Sequence, residues 1–377
     1  MRFWIVGGGT GGHVYPALAI AHALRDIVSG VELTWVGTRD GMERDLVERA
    51  DIPFVGIPGG GVHGVALRTA IRNGWELARA IFVARRLLRQ ESPDAVLTTG
   101  GYVSGPVALA ARWERIPMLV FVPDIEPAQS IKVIAKLAQR VAVSVPASLE
   151  YFAKDKAVVT GYPLGERITK WDRAKGREAL GLDPEARVLL VFGGSRGARS
   201  INRALLAHVA TLTDMADVVH ITGTLDWPEV ETARAQLPAA AQARYHAYRY
   251  LHARMGAALA ASDLVVSRAG AGTLGEFPYF GLPAVLVPYP YAWRYQRVNA
   301  SWLVDRAAAV MVRDEDLMDR LVPTVTALLS DCQRLRAMAE ASRKLARPEA
   351  AHHLARLLIS VGRQDESNHS SFTPGQG

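Results

Sequence analysis

The sequence predicts an α/β protein made of two Rossmann-like domains, each a doubly wound parallel sheet. Three observations carry that prediction. Short, continuous apolar runs alternate with segments of helical spacing, the pattern of parallel strands buried on both faces. A strand, a glycine turn and a helix open the chain, and the same succession restarts near residue 188. At 377 residues the chain is too long for one ordinary core, so the restart is read as a second domain.

The first strand is Arg2 to Val6. It runs into Gly7-Gly8-Gly9-Thr10-Gly11-Gly12-His13, after which Pro16 to Leu24 has helical spacing with a proline in its first turn. The turn contains G-x-G-x-x-G, so a nicotinamide-dependent oxidoreductase is one reading. That fold needs an acid ending the second strand, but Val31 to Val36 ends in Gly37-Thr38 and the next acid, Asp40, comes late. A dinucleotide is therefore disfavoured. A helix over Asp40 to Ala50 and a glycine-rich loop over Gly56 to Val65, with His63, follow.

Leu67 to Gln90 reads as a helix. It carries Arg68, Arg72, Arg79, Arg85, Arg86 and Arg89 against one acid, Glu76, with Leu67, Ile71, Trp75, Ile81 and Phe82 interleaved. A solvated face packed on the core and a surface for anionic lipid are both open readings. Few aromatics could stack on bases and no nucleic-acid motif is present, so nucleic acid is not expected as a partner.

Ala95 to Thr99 is the next buried strand, ending in Gly100-Gly101-Tyr102-Val103-Ser104-Gly105-Pro106 before a helix. Met118 to Val122 runs into Pro123-Asp124-Ile125-Glu126-Pro127, which sets two acids at the carboxyl end of a parallel strand, where either a site or a loop salt bridge is served. Val141 to Val145 and Val158-Val159 close this half. Gly161-Tyr162-Pro163-Leu164-Gly165 is the expected linker, giving an N-terminal domain over 1–162 and a second over 163–346.

The second half begins with the strand Val188 to Phe192, the turn Gly193-Gly194-Ser195-Arg196-Gly197-Ala198 and a helix over Ser200 to Leu212. Further strands are expected at Val218 to Thr222, Tyr248 to Leu251, Leu264 to Ser267 and Ala284 to Val287. Leu335 to Ala346 is helical. A last helix, 347–362, is expected to pack back on the N-terminal domain, and 363–377 to form an unstructured tail.

The densest stretch is Ser267-Arg268-Ala269-Gly270-Ala271-Gly272-Thr273-Leu274-Gly275-Glu276, trailed by Gly281-Leu282-Pro283 and the segment to Asn299. Backbone N–H groups at a helix start suit phosphate, and a carboxylate in the first turn suits either a ribose or the helix dipole. With a glycine turn in each half, the expected cleft between two domains has phosphate-binding capacity on both walls. Two phosphorylated ligands would use both. His13, directly after its turn, is either a helix-cap residue or a base able to take a proton from an attacking hydroxyl. Asp314-Glu315-Asp316 is read as capping at a helix start.

Composition bounds the rest. With 49% hydrophobic and 21% charged residues the chain is globular, and its net charge of +7 invites an anionic partner. One cysteine, Cys332, excludes a disulfide framework and a cysteine-rich metal site. With no leader pattern ahead of the first strand and no apolar run of roughly 18 residues, a reducing cytoplasm is expected. The absence of a G-x-x-x-x-G-K-[ST] loop argues against phosphoryl transfer from ATP.

Taken together, Gly8 to Pro16, Gly100 to Pro106, Gly193 to Ala198, Gly270 to Glu276, Gly281-Leu282-Pro283 and Gln296 to Asn299 resemble the MurG family over about residues 3–360. That family has the GT-B fold. Its members are bacterial transferases that move N-acetylglucosamine (GlcNAc) from UDP-GlcNAc to the undecaprenyl-diphosphate-linked muramyl pentapeptide, lipid I, making lipid II for peptidoglycan. The resemblance implies an inverting reaction at the cytoplasmic face of the cell membrane, with a peripheral protein, a lipid-linked acceptor, an anionic membrane surface, and no metal or other cofactor.

It implies site residues too. His13 is the candidate base, with Thr10, Gly11 and Gly12 at the acceptor hydroxyl and sugar diphosphate. Ser195 falls at the donor diphosphate, Ala271, Gly272, Thr273 and Glu276 at the nucleotide sugar with Glu276 on the ribose, Gln296 at the GlcNAc hydroxyls and Leu251 beside uracil. Gly101, Tyr102, Ser104 and Glu126 fall on the acceptor side. The chain departs from the family pattern at Phe121-Val122-Pro123-Asp124, where Asp124 replaces a donor-sugar asparagine, and at Tyr162-Pro163-Leu164-Gly165, where an arginine is missing or displaced to Arg167. A UDP-sugar transferase acting on another lipid or polyprenyl carrier, and a noncatalytic lipid- or nucleotide-binding protein, are the alternatives.

Overall fold

The computed structural model describes the chain except Thr10, Asp40, Met42 and residues 59–66, 195–196, 292–294 and 371–377; over 67–74 and 364–370 it describes the backbone alone. The chain divides into two compact units, Met1–Gly165 with the final segment from Pro348, and Glu166–Arg347.

In the first unit, β1 (Arg2–Gly7), β2 (Glu32–Thr38), β3 (Phe54–Ile57), β4 (Ala95–Gly100), β5 (Met118–Val122), β6 (Arg140–Val143) and β7 (Ala157–Val159) form one sheet in the order β3-β2-β1-β4-β5-β6-β7. Every pair is parallel. The crossovers include α1 (Gly11–Ile27), α2 (Arg44–Glu48), α3 (Leu67–Glu91), α4 (Ser104–Trp113) and α5 (Gln129–Leu137). Trp4, Val6, Val96 and Val120 pack with Ala84, Leu88 and Val107 on one face. The other face lies under α1 and the closing helix Ala350–Ser370, which pack on each other and on β4. Burial on both faces, at about 1.5–3 kcal/mol for each large apolar side chain, is why these strands read as continuous apolar runs.

Strand order reverses between β1 and β4. At such a switch point the connections leave the sheet in opposite directions and open a crevice at the carboxyl ends. The register sharpens this: Val6 stands opposite Thr98, the pairing slips by one, and Gly7 stands opposite Gly100. Two glycine turns therefore start side by side.

The second unit repeats the scheme. After α6 (Glu166–Thr169) and α7 (Arg173–Leu180) come β8 (Val188–Phe192), α8 (Arg199–Thr213), β9 (Asp217–Ile221), β10 (Tyr245–Tyr248), β11 (Leu264–Ser267), β12 (Ala284–Leu286) and β13 (Ala309–Met311). The parallel order is β10-β9-β8-β11-β12-β13, so the switch point falls between β8 and β11. Ile201, Leu205, Val218, Val266 and Leu321 centre its core.

Several elements differ from expectation. Helix α1 starts at Gly11, inside the glycine turn, and Pro16 sits in its second turn. The helix expected over Asp40 to Ala50 is reduced to Arg44–Glu48. The loop expected from Gly56 begins inside β3, and residues 59–66 of it, His63 included, lie outside the described residues. The strand expected at Tyr248 to Leu251 is Tyr245–Tyr248, because Tyr245 and Ala247 are the residues that bury. Strand β13, only three residues long, and helix α5, nine residues long, were not among the expected elements. The closing helix runs on to Ser370, past the residue 362 at which a tail was expected, and 371–377 lie outside the described residues.

Candidate functional site

The first cluster sits at the β1/β4 switch point. Gly11, Gly12 and His13 form the opening of α1, where N–H groups have no intrahelical partner. His13 Nδ1 lies 2.6 Å from the Thr99 carbonyl oxygen, and Thr99 Oγ1 donates to the His13 carbonyl at 2.9 Å. A carbonyl only accepts, so Nδ1 carries the hydrogen and, in the neutral ring, Nε2 keeps the lone pair. Burial lowers the imidazole's pKa from 6.5, against the opposing pull of the Asp124 carboxylate and of the Thr99 hydrogen bond. The ring is thus neutral near pH 7.

Two glycines make room for that arrangement. A Cβ on Gly100 (φ +113°) would stand 2.8 Å from His13 Cε1 and Nδ1, and one on Gly101 (φ +103°) would stand 2.8 Å from the Gly8 carbonyl oxygen. Tyr102 is 56% exposed beside Gly9. Ser104, expected toward the acceptor, is buried, and its Oγ accepts from Thr98 Oγ1 at 2.8 Å; it holds the turn from within. Asp124 and Glu126 are half-buried in the segment after β5. Thr10 lies outside the described residues.

The second cluster sits at the β8/β11 switch point. Ala271, Gly272 and Thr273 lie in a short 3₁₀ turn, Ala271–Leu274, and Glu276 opens the helix Glu276–Phe280. The Glu276 carboxyl folds back to Gly272, where a Cβ would stand 3.4 Å from it. Burial raises its pKa above the usual carboxylate range, and Arg167 pulls the other way. Thr273 is buried and its hydroxyl donates to the Gly270 carbonyl at 2.7 Å. Gln296 Oε1 accepts from the Tyr289 N–H at 2.8 Å, and Asn299 Nδ2 donates to the Ala269 carbonyl at 3.1 Å. Leu251 follows β10 and is buried. Ser195 lies outside the described residues.

Behind the Gly193–Ala198 turn runs a buried polar chain that the sequence did not announce. Gly197 (φ +78°) presses on the Thr222 carbonyl, where a Cβ would be 2.4 Å away. Asn202 Nδ2 donates to that carbonyl at 2.9 Å and to Asp226 at 2.8 Å, leaving Oδ1 to accept from His220 Nε2 at 2.9 Å. His220 Nδ1 then accepts from Tyr245 Oη at 2.7 Å. Burial pushes the His220 pKa down to about 3 and the Tyr245 pKa up.

Two further residues were missed or misread. Asp314, read as a cap, accepts from Arg268 Nη1 at 2.5 Å and from Ser200 Oγ at 2.7 Å, tying the densest stretch to α8. Glu43, fully buried beneath the first glycine turn, gave no signal beyond being an acid after β2. Pairing across the fold creates these roles, and residue type alone does not carry them.

Comparison with known proteins bears on what the clusters hold. Residues 3–143 match the glycosyltransferase family 28 N-terminal domain and residues 188–354 its C-terminal domain. The chain is 40% identical, over 96% of its length and 95% of the relative's, to a UDP-N-acetylglucosamine--N-acetylmuramyl-(pentapeptide) pyrophosphoryl-undecaprenol N-acetylglucosamine transferase of Roseiflexus sp. (strain RS-1). A protein of the same description from Desulforamulus reducens is 38% identical over 96% of this chain and 99% of that one. Among solved structures, Acinetobacter baumannii MurG superposes with a TM-score of 0.75 at 28% identity, covering 95% of this chain and 99% of that one.

Proposed function

Because the chain belongs to glycosyltransferase family 28, we propose that it transfers GlcNAc from UDP-GlcNAc to lipid I, the undecaprenyl-diphosphate-linked N-acetylmuramyl pentapeptide, and so forms lipid II. The observation that carries the mechanism is His13: a neutral imidazole at a glycine-turn helix start, its Nδ1–H committed to Thr99 and its Nε2 basic. The acceptor oxygen attacks the anomeric carbon while Nε2 takes its proton. The bond from that carbon to UDP breaks, and its electron pair leaves on the diphosphate. In-line attack inverts the anomeric centre.

The second unit holds the donor in this reading. Ser195, Ala271, Gly272 and Thr273 line the nucleotide sugar, Glu276 accepts the ribose hydroxyls, Gln296 reads the sugar and Leu251 flanks the base. Gly11, Gly12, Gly101, Tyr102 and Glu126 serve the acceptor. No metal or cofactor enters, because backbone amides at helix starts take up the charge of the departing UDP.

The enzyme works as a peripheral protein on the cytoplasmic face of the cell membrane. Support comes from α3 and α4, which pack together and leave Trp75 72%, Phe82 63% and Trp113 59% exposed. Arg79, Arg86 and Arg89 are exposed on α3, and the Arg85 guanidinium stacks 4.2 Å over Trp113. Arg85 and Arg89 share Glu114, so Arg79 and Arg86 carry the exposed charge beside these apolar anchors, a combination that suits an anionic lipid surface better than nucleic acid. Among the described residues no helix is long and apolar enough to cross a membrane.

Asp124, in place of an asparagine, supports a second reading in which another sugar or polyprenyl carrier is used. Mass spectrometry of products from a panel of UDP-sugars with lipid I decides. Addition of one N-acetylhexosamine from UDP-GlcNAc alone supports the first reading, and a different sugar or carrier selects the second. Tight NADH binding without UDP binding overturns both.

A further inference from the structure

Glu43, just ahead of α2, is a carboxylate with 0% exposure. Its Oε1 accepts the Thr38 N–H at 3.1 Å and the Thr38 hydroxyl at 3.0 Å, and its Oε2 accepts the Gly9 N–H at 3.4 Å. All three partners donate, and only an acceptor-only group satisfies such a set. Missing side chains create its space: a Cβ would stand 2.4 Å from Oε1 at Gly8, 2.2 Å at Gly41 and 2.9 Å at Gly37. Three glycines, one in the first turn, one in β2 and one just after β2, thus enclose one carboxylate. Among the described residues no cation pairs with it. Burying an anion without a cation is costly, so the site spends stability on this contact.

The contact acts on Gly9. That residue bends the first turn through φ +83°, and its N–H points inward to Glu43. The opening amides of α1, at Gly11, Gly12 and His13, need no intrahelical partner and stay available to an anion. Glu43 also accounts for the dinucleotide-like turn. An acid does come back to it from beyond β2, but underneath and closed to any ribose.

We propose that Glu43 is a positioning residue for the acceptor's diphosphate: holding the Gly9 N–H inward, it fixes the bend of the turn and aims the first amides of α1 at that diphosphate. The inference rests on reading the first unit as the acceptor side.

The test is steady-state kinetics of Glu43→Gln with lipid I and UDP-GlcNAc varied separately, beside titration of a short-chain prenyl diphosphate into parent and variant. The variant keeps one carbonyl oxygen and turns its N–H₂ toward a backbone N–H that only donates, Gly9's or Thr38's, so the acceptor KM is expected to rise about tenfold, with the donor KM and kcat within about twofold. Thr38→Val removes one support and leaves the charge, and is expected to raise the acceptor KM a few-fold; it carries the test if Glu43→Gln fails to fold. An unchanged acceptor KM in a folded variant, or an equal rise in both KM values, overturns the proposal. If the parent makes no lipid II but binds the prenyl diphosphate, and Glu43→Gln weakens that about tenfold, the positioning role stands and the proposed reaction falls. A parent that neither transfers nor binds overturns both.

Discussion

His13 and Thr99 are hydrogen-bonded to each other twice across 86 residues of chain, ring to carbonyl at 2.6 Å and hydroxyl to carbonyl at 2.9 Å. One residue opens α1 and the other lies near the end of β4, so the double link spans the switch point of the first sheet. It fixes both the tautomer and the direction of the imidazole. In the proposed reaction, a base held in this way would need no reorganisation when the acceptor arrives.

Replacing His13 by alanine is expected to lower kcat by about a hundred- to ten-thousandfold, the usual contribution of a positioned base, with UDP affinity little changed. Parallel turnover and UDP-binding measurements check this. Unchanged turnover would remove His13 from the mechanism.

The pH profile of kcat/KM is expected to rise from acid to neutral pH, as the imidazolium loses its proton, with its inflection below 6.5 because burial disfavours the cation. Asp124 pulls the other way, so Asp124→Asn is expected to move the inflection further toward acid. A shift toward alkali would contradict the electrostatic link between the two residues.

Glu276→Ala is expected to weaken UDP about ten- to a hundredfold, the loss of hydrogen bonds to a charged acceptor, and to affect 2′-deoxy-UDP much less. Calorimetry with both nucleotides reads the difference. Equal losses for the two would mean that the carboxylate does not meet the ribose 2′-hydroxyl.

His220 makes the second unit acid-sensitive. Its pKa is 6.5 when unfolded and about 3 when folded, so the unfolded chain takes the proton first. Its stability contribution is complete above pH 6.5 and is lost as pH falls toward 3, by about 5 kcal/mol in all. Urea unfolding at a series of pH values is expected to give a shallower acid slope for His220→Phe than for the parent, with lower stability at neutral pH. Identical slopes would refute the assignment.

Replacing Arg79, Arg85 and Arg86 by glutamate, or Trp75 and Phe82 by alanine, is expected to weaken binding to anionic vesicles at least tenfold, at roughly 1 kcal/mol per basic residue near the surface. Added salt should reduce parent binding. Co-sedimentation measures both effects, and binding that ignores the charge reversals would exclude this face.

Much of the architecture was legible because periodicity and glycine placement are local. The parallel strands Val188 to Phe192 and Met118 to Val122 announce themselves as apolar runs, and their structural bounds match the reading. Strand β10 did not, since Tyr245-His246-Ala247-Tyr248 mixes polar and apolar residues and its identity depends on pairing with β9. His13, Glu276 and Gln296 could be singled out as candidates because their motifs are local. The inward turn of Ser104 could not, because the hydroxyl's direction is set by Thr98 on β4.

The sequence by itself determined the two parallel α/β units, their glycine turns and the family to which the chain belongs, since each rests on residues close together in the chain. Only the tertiary structure decided that Thr99 fixes the imidazole tautomer, that Asp314 engages Arg268, and that Glu43 lies beneath the first turn. A hydrogen bond depends on distance and direction in space. For residues 34 to 86 positions apart those are set by the packing of strands and helices, and no local pattern records them.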